Sequence, residues 1–223
     1  MKYGKYTILA LSVALAVSAA SISGCGGSDV QAQTPVFTLS STDLASSPIP
    51  TKFVLHGFGC TGQNISPALQ WSNKPAGTLS FALQLFDPDA PSGSGFWHWA
   101  VYDIPPTTTE LDQGAGNSAA TLPPGSRGGN TDFFDTGATG VFDSAGVNVT
   151  PGVNGTYGGP CPPAGDAPHH YTFTLYALDV PKLDVAAGVP LTGTAGLYGF
   201  ALGRGGIGPH MLAKAQFIAT FGR

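Results

Sequence analysis

Glycine and proline set the limits on what this chain can become. Its 223 residues include 32 glycines and 19 prolines, residues that interrupt helices and populate turns. A fold built on long helices is disfavoured, and a β-dominated fold with long connections is expected. Only 10% of the residues are charged, which together with so much Gly and Pro would suit disorder. The hydrophobic fraction, 42%, argues the other way and is enough for one core. The net charge is −4, and arginine occurs only at Arg127, Arg204 and Arg223. No basic patch exists for a nucleic acid to meet.

The N-terminal stretch reads as a targeting signal rather than part of the fold. Lys2 and Lys5 are followed by an apolar run from Ile8 to Ala20 and then by small residues, the layout of a secretory signal. The run is too short for a comfortable membrane span. It ends in Ile22-Ser23-Gly24-Cys25, which resembles a bacterial lipobox. Cleavage before Cys25 and acylation of its sulfur would leave residues 1–24 as signal peptide and 25–34 as a lipidated tether. The domain then begins at residue 35. Loss of two lysines and no acids takes the mature chain from −4 to −6. Gly26 is not the aspartate of an inner-membrane retention signal, so the expected location is the outer membrane, facing the periplasm. Export also bears on the remaining cysteines. Cys60 and Cys161 form an even pair in an oxidising compartment, which predicts a disulfide. The alternative is two buried free thiols.

Within the domain, alternation of apolar residues marks the strands. Val36 to Leu39 is the first, and Leu69-Gln70-Trp71 another. Leu79, Phe81, Leu83 and Leu85 alternate with Ser80, Ala82, Gln84 and Phe86, giving one firmly apolar face. This strand must stop at Asp87-Pro88-Asp89-Ala90-Pro91, because proline cannot donate to a ladder. Phe96 to Ile104 is the next strand, and His170 to Leu178 a strong central one, with Tyr171, Phe173 and Leu175 on one face. Residues 112–165 show little periodicity, and such a stretch in a compact domain is usually functional or mobile. Ala195 to Leu202 suits a short helix. Met211 to Phe217 reads as helix or as the lead into a last strand ending at Phe221.

Chemistry-bearing residues gather at strand ends: Asp87 and Asp89 after one strand, His98 early in the next, His169, His170 and Tyr171 at the opening of a third. Strand ends joined by irregular loops commonly carry binding sites. A histidine beside an aspartate is held in one tautomer or kept protonated. With a tyrosine hydroxyl and loop N–H groups, such a pair suits phosphate, sulfate or carboxylate. The competing account makes Asp87 a turn cap and His98 a core histidine satisfied by a backbone carbonyl.

The wording of these segments adds a resemblance. Asp87-Pro88-Asp89-Ala90-Pro91, His98-Trp99-Ala100-Val101, Gly159-Pro160-Cys161-Pro162-Pro163-Ala164-Gly165 and His169-His170-Tyr171 stand in this order in the chain. They resemble the signature blocks of the phosphatidylethanolamine-binding proteins. Asn64-Ile65-Ser66-Pro67, Pro75-Ala76-Gly77-Thr78 and His210 to Ala215 look like its bacterial Raf kinase inhibitor-like branch. The resemblance covers about residues 36–222. It implies a large central antiparallel sheet packed on a smaller sheet, with short peripheral helices. It also implies a pocket for phosphate-like anions, including phospholipid head groups, lined here by Asp87, Pro91, His98, Cys161, His169 and Tyr171. Asp87 would orient and charge His98, and His98 and Tyr171 would donate to the anion. Amides around Gly159 to Cys161 would complete the cradle, with Asp89 fixing the loop through local hydrogen bonds.

Two departures from the family pattern stand out. His170 occupies a place where the family often has arginine, and residues 130–156 look like an insertion of about 20 residues. Asp132, Asp135 and Asp143 in that insertion match no EF-hand spacing, and no pattern supports a metal or other cofactor. The function expected is a cell-envelope lipoprotein that binds a phosphate-like anion or phospholipid head group and modulates a partner, its protein target unknown. Inhibition of a kinase or protease is one alternative. A hydrolase or lyase using the Asp/His/Tyr set is another, although no G-x-S-x-G elbow is present.

Overall fold

The computed structural model describes residues 35–45, 47–135, 155–203 and 210–223. The expected signal, the expected tether with Cys25, and most of the expected insertion lie outside the described residues. In chain order the early strands are β1 (Thr38–Ser40), β2 (His56–Gly57), β3 (Cys60–Thr61), β4 (Leu69–Ser72) and β5 (Ser80–Asp87). They are followed by β6 (Phe96–Ile104), β7 (Glu110–Leu111), β8 (Arg127–Gly128), β9 (His169–Leu178) and β10 (Met211–Phe221). Among the described residues three short α-helices accompany them, α1 (Asp132–Asp135), α2 (Leu183–Ala187) and α3 (Ala195–Gly203).

The strands form a five-stranded sheet in the order β10-β9-β5-β6-β8, a three-stranded sheet β1-β4-β7, and the pair β2-β3. Every strand pairing in them is antiparallel. This is the mainly β architecture expected, a large central sheet packed on a smaller one. One face of the large sheet presents Phe81, Leu83, Leu85, Trp99, Val101, Phe173 and Leu175 to Leu39, Leu69, Trp71 and Leu111 of the small sheet. The other face presents Ala82, Ala100 and Tyr102 to Leu183 of α2 and Ala195, Tyr198 and Leu202 of α3.

That second layer explains where the sequence pattern departs from the structure. β5 is buried on both faces nearly throughout, whereas simple alternation suggested one apolar face. Ala82 is small enough to lie under the helices. The Gln84 amide is satisfied there, donating to the Tyr102 hydroxyl at 3.1 Å and to the Ala195 carbonyl at 2.9 Å, as a buried polar group requires. Leu79 falls just before the strand and is half exposed. The ambiguous C-terminal segment is strand throughout, paired with β9 from Met211 to Phe221. Its even alternation of more and less exposed residues has the period of a strand.

Cys60 and Cys161 are joined in a disulfide, with an S–S length of 2.06 Å and Cα atoms 6.0 Å apart across 101 residues of sequence. The bond ties the β2-β3 hairpin to the segment that precedes β9. Closing a loop of this length restricts the unfolded chain, a constraint worth about 2–4 kcal/mol in typical cases. We predict that reduction lowers the melting temperature by roughly 5–15 °C for a domain of this size. Calorimetry with and without a thiol reductant checks this, and an unchanged melting point after both thiols become titratable would contradict it.

Candidate functional site

Asp87 ends β5 because Pro88 follows it, and its carboxylate then organises the turn. One oxygen accepts the amides of Asp89 at 2.9 Å and Ala90 at 3.1 Å. The other accepts from Nδ1 of His169 at 2.7 Å, and both side chains are buried. Asp87 is thus a turn cap and a histidine partner at once, the two accounts that sequence had set against each other.

The partner is His169, however, and not His98. Nε2 of His98 lies 3.9 Å from the Asp87 carboxylate, beyond a hydrogen bond. The ring is oriented instead through Nδ1, which donates to the Gly158 carbonyl at 2.9 Å. Burial is the dominant influence on its charge. It pushes the imidazole down to about 4, against the raising effects of the Gly158 carbonyl and Asp87. The expectation that Asp87 orients and charges His98 is therefore corrected. His98 is neutral near pH 7, its Nδ1 carries the proton, and Nε2 is left as an acceptor.

The loop role expected for Asp89 also changes hands. Asp87 makes the local turn bonds, while Asp89 reaches across to His170, accepting from its backbone N at 2.7 Å and its Nδ1 at 2.8 Å. The side-chain bond from His170 is the main cause holding the Asp89 carboxyl below its ordinary range.

Opposite these strand ends runs a strap of residues 155–161, held by long-range bonds. The Asn64 amide donates to the Tyr157 carbonyl at 3.2 Å and accepts from the Gly159 amide at 2.8 Å. Asn64 does this from a left-handed backbone, φ 52°, a conformation asparagine tolerates. Gly158 N donates to the His98 carbonyl at 3.1 Å, and Leu55 N to the Pro160 carbonyl at 3.1 Å. The amides of Gly158 and Gly159 are thus engaged, and residue 160 is a proline without one. Of the amide cradle expected from Gly159 to Cys161, Gly159 is engaged elsewhere and Pro160 has no N–H to offer. Gly159 lies so close to the backbone of Phe53 to Leu55 that a Cβ would stand 2.6 Å from Leu55 N, so only glycine fits.

Between strap and strand ends lies a cavity of about 260 Å³. Asp87, Pro91, His98, Cys161, His169 and Tyr171 all line it. Sequence reasoning missed much of the apolar wall, which includes Leu55, Phe58, Phe96, Phe133, Pro162 and Pro163. Phe133 comes from α1, at the edge of the expected insertion. The Asp132 carboxylate accepts the Trp97 amide at 2.7 Å, setting the Phe133 ring edge-on to Phe96 and His98 with centroids 4.8 and 5.3 Å apart. An adjacent Phe133-Phe134 pair amid glycines was the available signal.

Tyr171 completes the site. Its ring packs edge-on against His98, centroids 5.2 Å apart, and its hydroxyl oxygen is buried with no hydrogen bond closed. Burial first, and the nearby Asp87 carboxylate second, push the phenol up, so the hydroxyl keeps its proton.

Comparison with known proteins identifies the family. The model of the phosphatidylethanolamine-binding protein family matches residues 39–221. The chain belongs to that family. The YbcL protein of Escherichia coli K12 is 42% identical over 156 residues, covering 69% of this chain and 75% of its own. LppC of Mycobacterium tuberculosis, named as a candidate lipoprotein, is 35% identical over 193 residues, covering 77% of each. The crystal structure of E. coli YbcL, described as a member of the mammalian PEBP family, superposes with a TM-score of 0.67 at 36% identity. That match covers 84% of this chain and 98% of the other. The blocks that carry the family resemblance, from Asn64 to the His169-His170-Tyr171 run, are the segments that build the cavity and hold its strap.

The depressed imidazole has a consequence for stability. In the unfolded chain a histidine titrates near 6.5, so between that pH and about 4 the unfolded state takes up a proton that folded His98 refuses. Stability contributed by the neutral ring is present above pH 6.5 and is lost as pH falls through this window. We predict that His98→Asn flattens the pH dependence of unfolding free energy between pH 6.5 and 4, read by urea unfolding across that range. An unchanged slope would contradict the assignment.

Proposed function

We propose that this chain is a cell-envelope lipoprotein whose pocket binds a phosphate-like anion or the head group of a phospholipid. It acts as a binding module, and its occupied pocket is the surface through which a partner protein is modulated. The observation that carries this is the convergence of Asp87, His98, His169 and Tyr171 on one small cavity, where the Tyr171 hydroxyl is buried without a partner. Buried polar groups are normally paired, so a guest that accepts from this hydroxyl gains a bond water cannot easily replace. The aromatic and proline walls exclude water and leave room for a few apolar atoms beside the polar head.

Attachment to the membrane through acylated Cys25 is supported by the lipobox wording of Ile22 to Cys25 and by the name of the relative LppC. The bridge between Cys60 and Cys161 suits an oxidising compartment. It also bears on catalysis, since Cys161 in a disulfide offers no thiolate as nucleophile.

Isothermal titration with inorganic phosphate and with phosphoethanolamine tests the binding reading. Wild-type protein should bind, and His98→Ala should bind at least about tenfold more weakly, a change of roughly 1.4 kcal/mol. Equal affinity for both proteins, with both folded by thermal melting, would overturn the role given to the pocket.

A further inference from the structure

Resting on the anion-binding reading, the polar groups facing the cavity say more about which anion. His98 lines the cavity and keeps a lone pair at Nε2, because its Nδ1 proton is given to the Gly158 carbonyl at 2.9 Å; Nε2 lies 3.9 Å from the Asp87 carboxylate. Asp87 itself is an acceptor. Tyr171 is a donor, its buried hydroxyl closing no well-formed hydrogen bond and lying beside the Asp87 carboxylate, with which a guest oxygen would compete for its proton. Among the described residues no lysine or arginine lines the cavity. The guanidinium of Arg223 is engaged with the carbonyls of two lining residues, Pro162 at 2.7 Å and Phe58 at 3.4 Å. A fully ionised phosphate would therefore present only acceptors to two acceptors, and would bring a double charge into a site with no fixed cation, an expensive burial.

We propose that the pocket selects the protonated monoanion of a phosphate monoester, whose P–OH donates to Nε2 of His98 while another oxygen accepts from the Tyr171 hydroxyl, and that it discriminates against phosphodiesters, which carry no such proton. The donor and acceptor inventory then closes on both sides. Among phospholipid-derived molecules, this favours free phosphorylated head groups and monoester lipids over intact diester lipids.

The groups around His98 keep this arrangement stable near neutral pH. From β5 it faces Asp87, from β9 His169 and Tyr171, and from α1 the ring of Phe133; the strap and α1 also carry Tyr157 and Asp132. Asp87 is bonded to His169, Asp132 to the Trp97 amide, and the Tyr157 hydroxyl to the Phe53 carbonyl at 2.8 Å. His169 also has Asp166 within 3.6 Å of its second nitrogen. Burial holds the His98 ring neutral, down to about 4, so over pH 6–8 the ligand's own ionisation sets the dominant trend.

Calorimetry with methyl phosphate and its isostere methyl methylphosphonate, in which P–CH₃ replaces P–OH, tests the proposal. Both are monoanions at low pH, and only the first has a proton to give. With a second phosphate pKa of about 6, the monoanion falls from about half the population at pH 6 to roughly one part in a hundred at pH 8. Methyl phosphate should accordingly bind roughly fifty-fold more weakly at pH 8 than at pH 6. The isostere should bind at least about tenfold more weakly than methyl phosphate at pH 6. Its own pH profile reports titrations of the protein without those of the ligand. Tyr171→Phe, which keeps the ring, should weaken methyl phosphate at both pH values. Equal binding of the two probes at pH 6, or methyl phosphate affinity that does not change with pH, would overturn the proposal and leave the anion site standing. Failure of both methyl phosphate and inorganic phosphate to bind at pH 6 would overturn the anion site as well.

Discussion

Gly158 has no side chain because the ring of Phe133 fills the space where a Cβ would be, and its carbonyl takes the Nδ1 proton of His98. Much of the site follows from that contact. A strap carrying a larger residue would stand off from β6, leaving the imidazole free to turn or charge. Held as it is, the ring is buried, uncharged and in one tautomer, with its remaining nitrogen 3.9 Å from the Asp87 carboxylate. The strap in turn depends on Asn64, whose amide bonds it in two places, and on Tyr157, whose hydroxyl reaches the Phe53 carbonyl. The disulfide from Cys60 to Cys161 fixes the same strap beyond Pro160. Segments distant in sequence thus set the position of a single hydrogen bond.

The charge balance of the site is correspondingly tight. Asp87 is shared between its own turn and His169, and it leaves His98 to the backbone. Burial decides the state of His98 because the carboxylate is too far for a hydrogen bond, while the desolvation of the ring is complete. Tyr171 is constrained in the opposite sense, since both burial and Asp87 favour its protonated form. A pocket whose polar lining is Asp87, His98, His169 and Tyr171 discriminates by the protons of its guest as well as by charge, which sets it apart from sites built on arginine or lysine.

Much of this was legible in the sequence wherever periodicity and proline agree. Strand β6 was placed from Phe96 to Ile104, and Pro88 marked the end of β5. The ordered signature blocks named the family and the polar lining. What the sequence concealed was pairing. Nothing in the spacing of Asp87, His98 and His169 says which histidine the carboxylate will bond, because that depends on the register of β5 against β6 on one side and β9 on the other. The burial of Ala82 and Gln84 was hidden for a similar reason, since alternation shows one apolar face and cannot foresee a helix layer over the other. Asn64 could be recognised as part of a family block, but its work on a strap more than 90 residues away has no local signature. The apolar wall went unseen because Phe58 sits in a tight turn and Phe133 in a helix of four residues, both too short for period to carry information.

The central claim is that Tyr171 and His98 together hold an oxyanion head inside the cavity. A crystal structure with phosphoethanolamine bound measures this most directly. The account predicts phosphoryl oxygens within about 3 Å of both the Tyr171 hydroxyl and His98 Nε2, with the bond from His98 Nδ1 to the Gly158 carbonyl intact. A guest seated outside the cavity, or an imidazole turned away from Gly158 to meet it, would contradict the account.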